Sequence, residues 1–266
     1  MNDSLNKDTN TDSYRAVNDN SYAYDFLSAV HNNPNLALQY DKFKRSSFFN
    51  KVWADRFNDY LKQLKSIVKK SCIITDVGSV KTSIHNTVKE LDMEDVFIGG
   101  HPMAGSELTG YANSSSAIMK NARYVITPTT RTTNEQLERF KALVYDMKAN
   151  PIVMDYTIHD KSVAAISHLP HLISTALVKL VSKEDDDEKH MQMLAAGSFR
   201  DMTRVAASSP EMWDQICASN SEDISVLLGD YIDILNEIKK NIDNKTPGYV
   251  NELFQMSREY KNSFRK

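Results

Sequence analysis

Phe97-Ile98-Gly99-Gly100-His101-Pro102-Met103-Ala104-Gly105-Ser106-Glu107 places a histidine just past a short apolar run and a pair of glycines. An imidazole titrates near neutral pH, so His101 in a pocket could take or give a proton. The two glycines let the backbone pass close to something. The plainer alternative is a loop histidine beside a Gly-rich turn. A second apolar run, Cys72-Ile73-Ile74-Thr75, ends in Asp76-Val77-Gly78-Ser79. If the two runs are neighbouring parallel strands, Ser79 and His101 face one crevice at the carboxyl ends of the strands, where such sheets bind ligands. A hydroxyl there can orient the imidazole. A serine nucleophile is disfavoured, because no G-x-S-x-G elbow surrounds Ser79. Ser79 also reads as a cap for the helix that follows.

Ser167-His168-Leu169-Pro170-His171 is a further cluster. Ser167 and His171 are four residues apart and share one face of a helix. His171 bonded to a backbone carbonyl exposed by Pro170 is the structural alternative. A zinc site would need more ligands than H-x-x-H supplies, and no metal is expected. In Gly197-Ser198-Phe199-Arg200-Asp201-Met202-Thr203-Arg204, two arginines at helical spacing offer planar forks for carboxylate or phosphate. By pattern alone a surface pair with Asp201 or Glu211 is the better account. Trp213, on the next helix, is more often core than ligand contact.

The elements that must position these groups follow from periodicity. Val52, Phe57, Tyr60, Leu61, Leu64 and Val68 predict a helix from about 49 to 70. Cys72–Thr75, Val96–Ile98, Tyr124–Thr127 and Ile152–Met154 read as short buried strands, with helices over 82–91 and 134–148. Strands alternating with helices predict parallel βαβ units with right-handed crossovers. After Asp155 no convincing strand appears. A helix over about 160–183 carries Val163, Ile166, Ile173, Leu177 and Leu180 on one face and is kinked by Pro170. A helix runs through Met193 to about Ala207, and Ser209-Pro210-Glu211 is a clean start signal for the next. Ile224, Leu227, Leu228, Tyr231, Leu235, Ile238 and Ile242 form a long apolar seam, read as a buried helix or a dimer interface. Residues 1–48, rich in Asn, Asp and Ser, read as irregular or disordered.

The chain has 266 residues and a formal net charge of -3, which argues against a general nucleic-acid binder. No apolar run is long enough to span a bilayer, and the N-terminus lacks a signal-peptide core. Cys72 and Cys217 form neither a metal-ligand spacing nor a disulfide framework, so a cytoplasmic location is expected.

In order and spacing, Asp76-Val77-Gly78-Ser79-Val80-Lys81, the His101 stretch, His159-Asp160 with Ser167 to His171, and Gly197 to Arg204 with Pro210-Glu211-Met212-Trp213 resemble the prephenate dehydrogenase family. The resemblance covers roughly residue 67 to the C-terminus. It implies an α/β part followed by an all-α part: a partial, N-terminally incomplete Rossmann-like parallel sheet over 49–155, and a helical substrate-binding and dimerisation domain over 156–266. It implies NAD-dependent oxidative decarboxylation of prephenate to 4-hydroxyphenylpyruvate, with arogenate as the alternative substrate. His101 would take the ring hydroxyl's proton, and Ser79 would orient His101. Asp76, Gly78 and Ser79 would lie at the nicotinamide. Ser106, Ser167, His171 and Gly197 would line the substrate pocket, Arg204 would grip a carboxylate, and Trp213 would reach in from the partner of a homodimer.

One departure stands out. The family's Rossmann unit opens with G-x-G-x-x-G, whose glycines admit the pyrophosphate to a helix N-terminus. Here no glycine precedes Gly78. Two readings from different classes follow: a dehydrogenase, or a non-catalytic dimeric module that keeps a pocket for an aromatic acid such as tyrosine.

Overall fold

The computed structural model describes residues 59–105 and 116–264. The expected irregular segment 1–48 and Ser106 lie outside the described residues. Helix α1 covers 59–67 and α2 Thr82–Glu90. Strand β1 is Ile98–Pro102, β2 Arg123–Pro128 and β3 Asn150–Val153, with α3 (Asn134–Asp146) between the last two. The strands form one sheet in the order β1-β2-β3. The cysteine-containing run contributes a single parallel bridge, Ile74 to Phe97, at the outer edge of β1.

The sheet was expected to be parallel throughout, and it is mixed. β2 and β3 are parallel, joined through α3, but β1 and β2 are antiparallel, with His101 opposite Val125. Among the described residues between β1 and β2, the helical structure is a short 3-10 turn, Ser116–Met119. Apolar side chains cover both faces of the sheet. Leu61, Ile84, Val88, Met93, Val96 and Phe97 pack together on one side. Ile98, Tyr124, Ile126, Phe140, Val144 and Ala149 pack on the other.

β1 runs further than its apolar residues suggested. Gly99, Gly100 and His101 belong to the strand rather than to a loop after it. The glycines are needed because the neighbours stand too close for a side chain. A Cβ on Gly99 would fall 2.9 Å from His85 Nε2, and one on Gly100 would fall 2.6 Å from the Tyr124 hydroxyl and 2.7 Å from the Asp76 carbonyl. What passes close to this backbone is therefore the protein itself.

The remainder of the described chain is helical. Tyr156–Glu184 is one continuous helix of 29 residues. It comprises α4 (Tyr156–Val163), a π-helical turn (Ala164–His168) and α5 (Leu169–Glu184). Asp155 caps its start by accepting from the amides of Thr157 and Ile158. Pro170 has no amide to donate, and the wider turn falls directly before it. That extra residue per turn changes the face presented. Ile166 (68% exposed) and Leu180 (55%) point outward, while His159, Asp160, Val163, Ala164, His168, Leu169 and Ser174 are buried. By length and composition this helix is long and apolar enough to cross a bilayer, contrary to the expectation that no stretch of the chain is. Its first two turns are instead held by buried polar contacts to the α/β part.

The helix expected through Met193 to Ala207 is broken into α6 (His190–Leu194), α7 (Gly197–Thr203) and a 3-10 turn (Arg204–Ala207). Extended backbone at Ala195 and Ala196 separates the first two. α8 (Pro210–Ser219) starts as its signal predicts, with the Ser209 side chain accepting from the Met212 amide. α9 (Ser221–Asp243) carries the long seam, and α10 (Tyr249–Ser263) follows. Of the seam, only Ile224 is buried, and Leu235 and Ile242 are exposed.

Candidate active site

The site lies where the end of β1, the turn after Thr75 and the start of the 29-residue helix meet. Asp76 is its first organiser. Its carboxylate accepts from the amides of Gly78 (2.9 Å) and Gly100 (3.2 Å) and pairs with the Lys81 ammonium. Lys81 is fully buried and also donates to the Gly100 carbonyl at 2.8 Å. A buried ion pair holds only when its remaining donors and acceptors are satisfied, and these backbone bonds satisfy them. Together they clamp the strand immediately before His101.

Asp160 is the second organiser. It accepts from the Lys81 amide at 2.8 and 3.1 Å and from the Thr82 amide at 2.7 Å. These are the first amides of α2, whose own N-cap residue offers no side-chain bond. An anion at a helix N-terminus is favoured by the aligned peptide dipoles. Burial works against the Asp160 carboxylate, but the His159 hydrogen bond and the Thr82 and Lys81 donors outweigh it, so its pKa lies below the usual carboxylate value. His159 Nδ1 sits 2.7 Å from Asp160 Oδ1, and His159 Nε2 sits 2.7 Å from His101 Nδ1. Asn220 donates to the Asp160 carbonyl at 2.9 Å and bonds His168 Nδ1 at 3.2 Å.

Burial and the neighbouring Lys81, with His159 and His168, push the His101 pKa well below its ordinary value, so the ring is neutral at pH 7. Desolvation likewise lowers His168 and His85 to about 4. His85 stacks on Tyr156 at 4.3 Å and bonds the Thr127 hydroxyl at 2.9 Å, which ties α2 to α4 and β2.

The sequence-predicted residues fall into two groups. His101, Asp76 and Gly78 converge with Ser79 close by in the chain. No hydrogen bond joins Ser79 to His101 among the described residues; His159 occupies the imidazole's Nδ1 instead. His171, Ser167, Trp213 and Arg204 form a second group. His171 Nδ1 bonds the Ser167 carbonyl at 2.8 Å, one residue beyond the Ile166 carbonyl that Pro170 would leave exposed. Trp213 stacks on His171 at 3.9 Å within the same chain. It also meets His168 edge-on at 5.9 Å, so α8 packs onto the bend of its own long helix. The indole N–H is sealed from solvent with no partner among the described residues. Arg204 is exposed, and its charge lowers the His171 pKa after burial has done so. Gly197 opens α7 on the surface, with nothing within 4 Å of an added Cβ. Sequence reasoning gave no role to Lys81, His159, Asp160 or Asn220. Their partners are backbone groups and rings far along the chain, and only the adjacency of His159 and Asp160 was visible.

A family model described as the nucleotide-binding domain of prephenate dehydrogenase matches residues 52–153, and one described as its dimerization domain matches residues 156–256. The chain belongs to the prephenate dehydrogenase family. A prephenate dehydrogenase from Bacillus subtilis is 31% identical over 195 residues, 73% of this chain and 53% of that protein. The Synechocystis arogenate dehydrogenase structure superposes with a TM-score of 0.70 at 32% identity, covering 77% of this chain and 74% of that one. Prephenate dehydrogenase from A. aeolicus, solved with hydroxyphenyl propionate and NAD+, gives a TM-score of 0.72 at 27% identity, covering 79% and 73%. The chain spans about half the length of the curated prephenate dehydrogenases it matches.

Gly78 is tied to the strand that carries His101 through the Asp76 carboxylate, which accepts from the amides of both Gly78 and Gly100. Among the described residues, Gly99 and Gly100 are closed off by protein atoms and offer no room for a pyrophosphate.

Proposed function

We propose that this prephenate dehydrogenase relative catalyses the oxidative decarboxylation of prephenate or arogenate. The observation that carries the reading is a neutral, clamped histidine, His101, at the mouth of the sheet, in the middle of the family's most distinctive motif. Bound NAD would supply the hydride acceptor. The residues of this chain supply a base and orientation. His101 accepts the proton of the ring hydroxyl as the carbon bearing that hydroxyl loses hydride. The ring carboxylate then leaves as CO2, its electron pair aromatises the ring, and His101 returns the proton to the phenolate oxygen. Aromatisation provides the driving force, so positioning and one well-placed base are the protein's main tasks.

Arg204 is the group that grips the side-chain carboxylate, with His171, Ser167, Gly197 and the unpartnered Trp213 N–H beside it. Ser106 completes that list on the strength of the motif alone. Asp76, through Gly78 and Ser79, shapes the nicotinamide end. A homodimer through α9 and α10 is supported by the apolar side chains these helices leave exposed, among them Ile234, Leu235, Phe254 and Met256. A cytoplasmic location is supported by two free thiols.

The test is NADH formation from NAD+ with prephenate, and separately with arogenate, followed by absorbance with the purified folded chain. Turnover with either substrate supports the reading and identifies the substrate. Folded protein that forms no NADH with either overturns it. Such protein binding tyrosine in calorimetry would then favour the non-catalytic module.

A further inference from the structure

We propose that His159, held by Asp160, is the positioning residue that decides which nitrogen of His101 meets the substrate. The inference deepens the dehydrogenase reading above and rests on it for its catalytic consequence. The geometry is a chain of groups at hydrogen-bond distance: Asp160 Oδ1 to His159 Nδ1 at 2.7 Å, then His159 Nε2 to His101 Nδ1 at 2.7 Å.

Each link constrains the next. Asp160 already accepts from two backbone amides at the start of α2, an environment built for an acceptor-only carboxylate. The proton between Asp160 and His159 therefore belongs to His159 Nδ1. In a neutral His159 that leaves Nε2 with a lone pair, able only to accept. The group facing it must donate, so His101 carries its proton on Nδ1. His101 Nε2 is then the unprotonated nitrogen, free to accept the substrate's hydroxyl proton. The ring planes of the two histidines are 76° apart, so the contact is edge-directed and not a stack.

The surroundings hold this arrangement in place. His159 is 1% exposed and Asp160 1%. Lys81, His168 and Asp160 are the other charged or titratable groups whose fields reach His101. Lys81 is committed to Asp76 and the Gly100 carbonyl, and His168 Nδ1 to Asn220. None of these contacts offers His101 Nδ1 an alternative acceptor. Without His159, nothing among the described contacts keeps the proton off Nε2, the nitrogen that the reaction requires bare. A histidine in the wrong tautomer cannot act as the base at that atom, however well it is placed.

The experiment is 15N NMR of the imidazole nitrogens on the full chain, for wild type, His159→Leu and His159→Gln. A glutamine carries an amide oxygen at about the reach of the lost Nε2, and leucine does not. The wild type is expected to show His101 protonated at Nδ1 only. His159→Leu should move the proton to Nε2, and His159→Gln should keep it on Nδ1. In steady-state kinetics, His159→Leu should lower kcat on the order of 100-fold or more, within the range positioned acid–base groups contribute, with KM little changed. His159→Gln should recover most of that loss, a rescue that a purely structural role for His159 would not give.

Wild-type His101 protonated at Nε2, a doubly protonated His159, or a His159→Leu spectrum identical to wild type would each overturn the proposal. So would equal kinetic losses in the Leu and Gln variants. The wild-type spectrum alone decides the tautomer if His159→Leu fails to fold. The spectra need no turnover: absent NADH formation would overturn the dehydrogenase reading, while a wrong tautomer would overturn the role of His159.

Discussion

A base works only while it is unprotonated, and in the proposed reaction the environment of His101 decides when that is. Burial and the Lys81 charge lower its pKa well below the ordinary histidine value, so the ring stays neutral through mildly acidic pH. The sign follows directly. Protonation inactivates the base and occurs only below the lowered pKa, so the acidic limb of kcat/KM attributable to the free enzyme's base should lie below pH 6.5. A pH–rate profile that falls with an apparent pKa at or above 6.5 would contradict this assignment. His101→Asn should lower kcat on the order of 10²- to 10⁴-fold while leaving KM nearly unchanged. Arg204→Ala should do the opposite. It should raise KM about 10- to 100-fold, matching the roughly 1.5–3 kcal/mol of a hydrogen bond to a charged group, with a smaller change in kcat. Steady-state kinetics on both variants separates the roles; the same split in the two would leave neither standing.

Helix α2 begins without a cap of its own and borrows one from 78 and 79 residues further along the chain. Asp160→Ala would strand the amides of Lys81 and Thr82 together with the His159 Nδ1 proton. Urea unfolding should show a loss of at least about 1–2 kcal/mol, the upper part of the range for a removed cap. Asp160→Asn, which can still accept, should lose less. This long reach explains what the sequence could and could not convey. Ser209-Pro210-Glu211 was readable as a helix start because its hydroxyl caps an amide within the same turn. Asp160 was readable only as the neighbour of His159, since nothing local shows which helix it caps. Gly99 and Gly100 announced a close approach, and the fold met them with His85 of α2 and with Thr127 and Tyr124 of β2. The antiparallel pairing of β1 with β2 left no mark, because period and composition carry strand identity but not direction.

Across the whole molecule, neutral buried histidines make stability depend on pH. His85 and His168 have folded pKa values of about 4, against an ordinary 6.5. Above 6.5 both states leave these rings neutral. As pH falls from 6.5 towards 4 the unfolded chain binds protons that the folded one does not, so stability declines across that window and then levels off. Urea midpoints measured through it should fall as the pH is lowered, and a His168→Asn variant should show a shallower decline. The division into an α/β part and a helical part was plain from where the strands stop. What covers the α9 seam was not: the same spacing suits a core and an interface. The structure leaves Ile234, Leu235 and Ile242 about half exposed, favouring the interface. Sedimentation should therefore find a dimer, and Ile234→Asp should shift it towards monomer.

The π-helical turn at Ala164–His168 gives the long helix a phase as well as a bend. It sets the angle between the half that holds His159 and Asp160 and the half that holds His171 and Ser174. One residue fewer in that turn would restore the regular α repeat, rotating everything downstream by about 100° and drawing it back about 1.5 Å. His171 would leave the face of Trp213, while the Asp160 cap and the His159 contact stayed where they are. A single-codon deletion there would thus act as a slipped gear tooth: the Asp160–His159–His101 chain would stay whole, while the group proposed to hold the substrate carboxylate would lose its His171–Trp213 stack and no longer mesh with it.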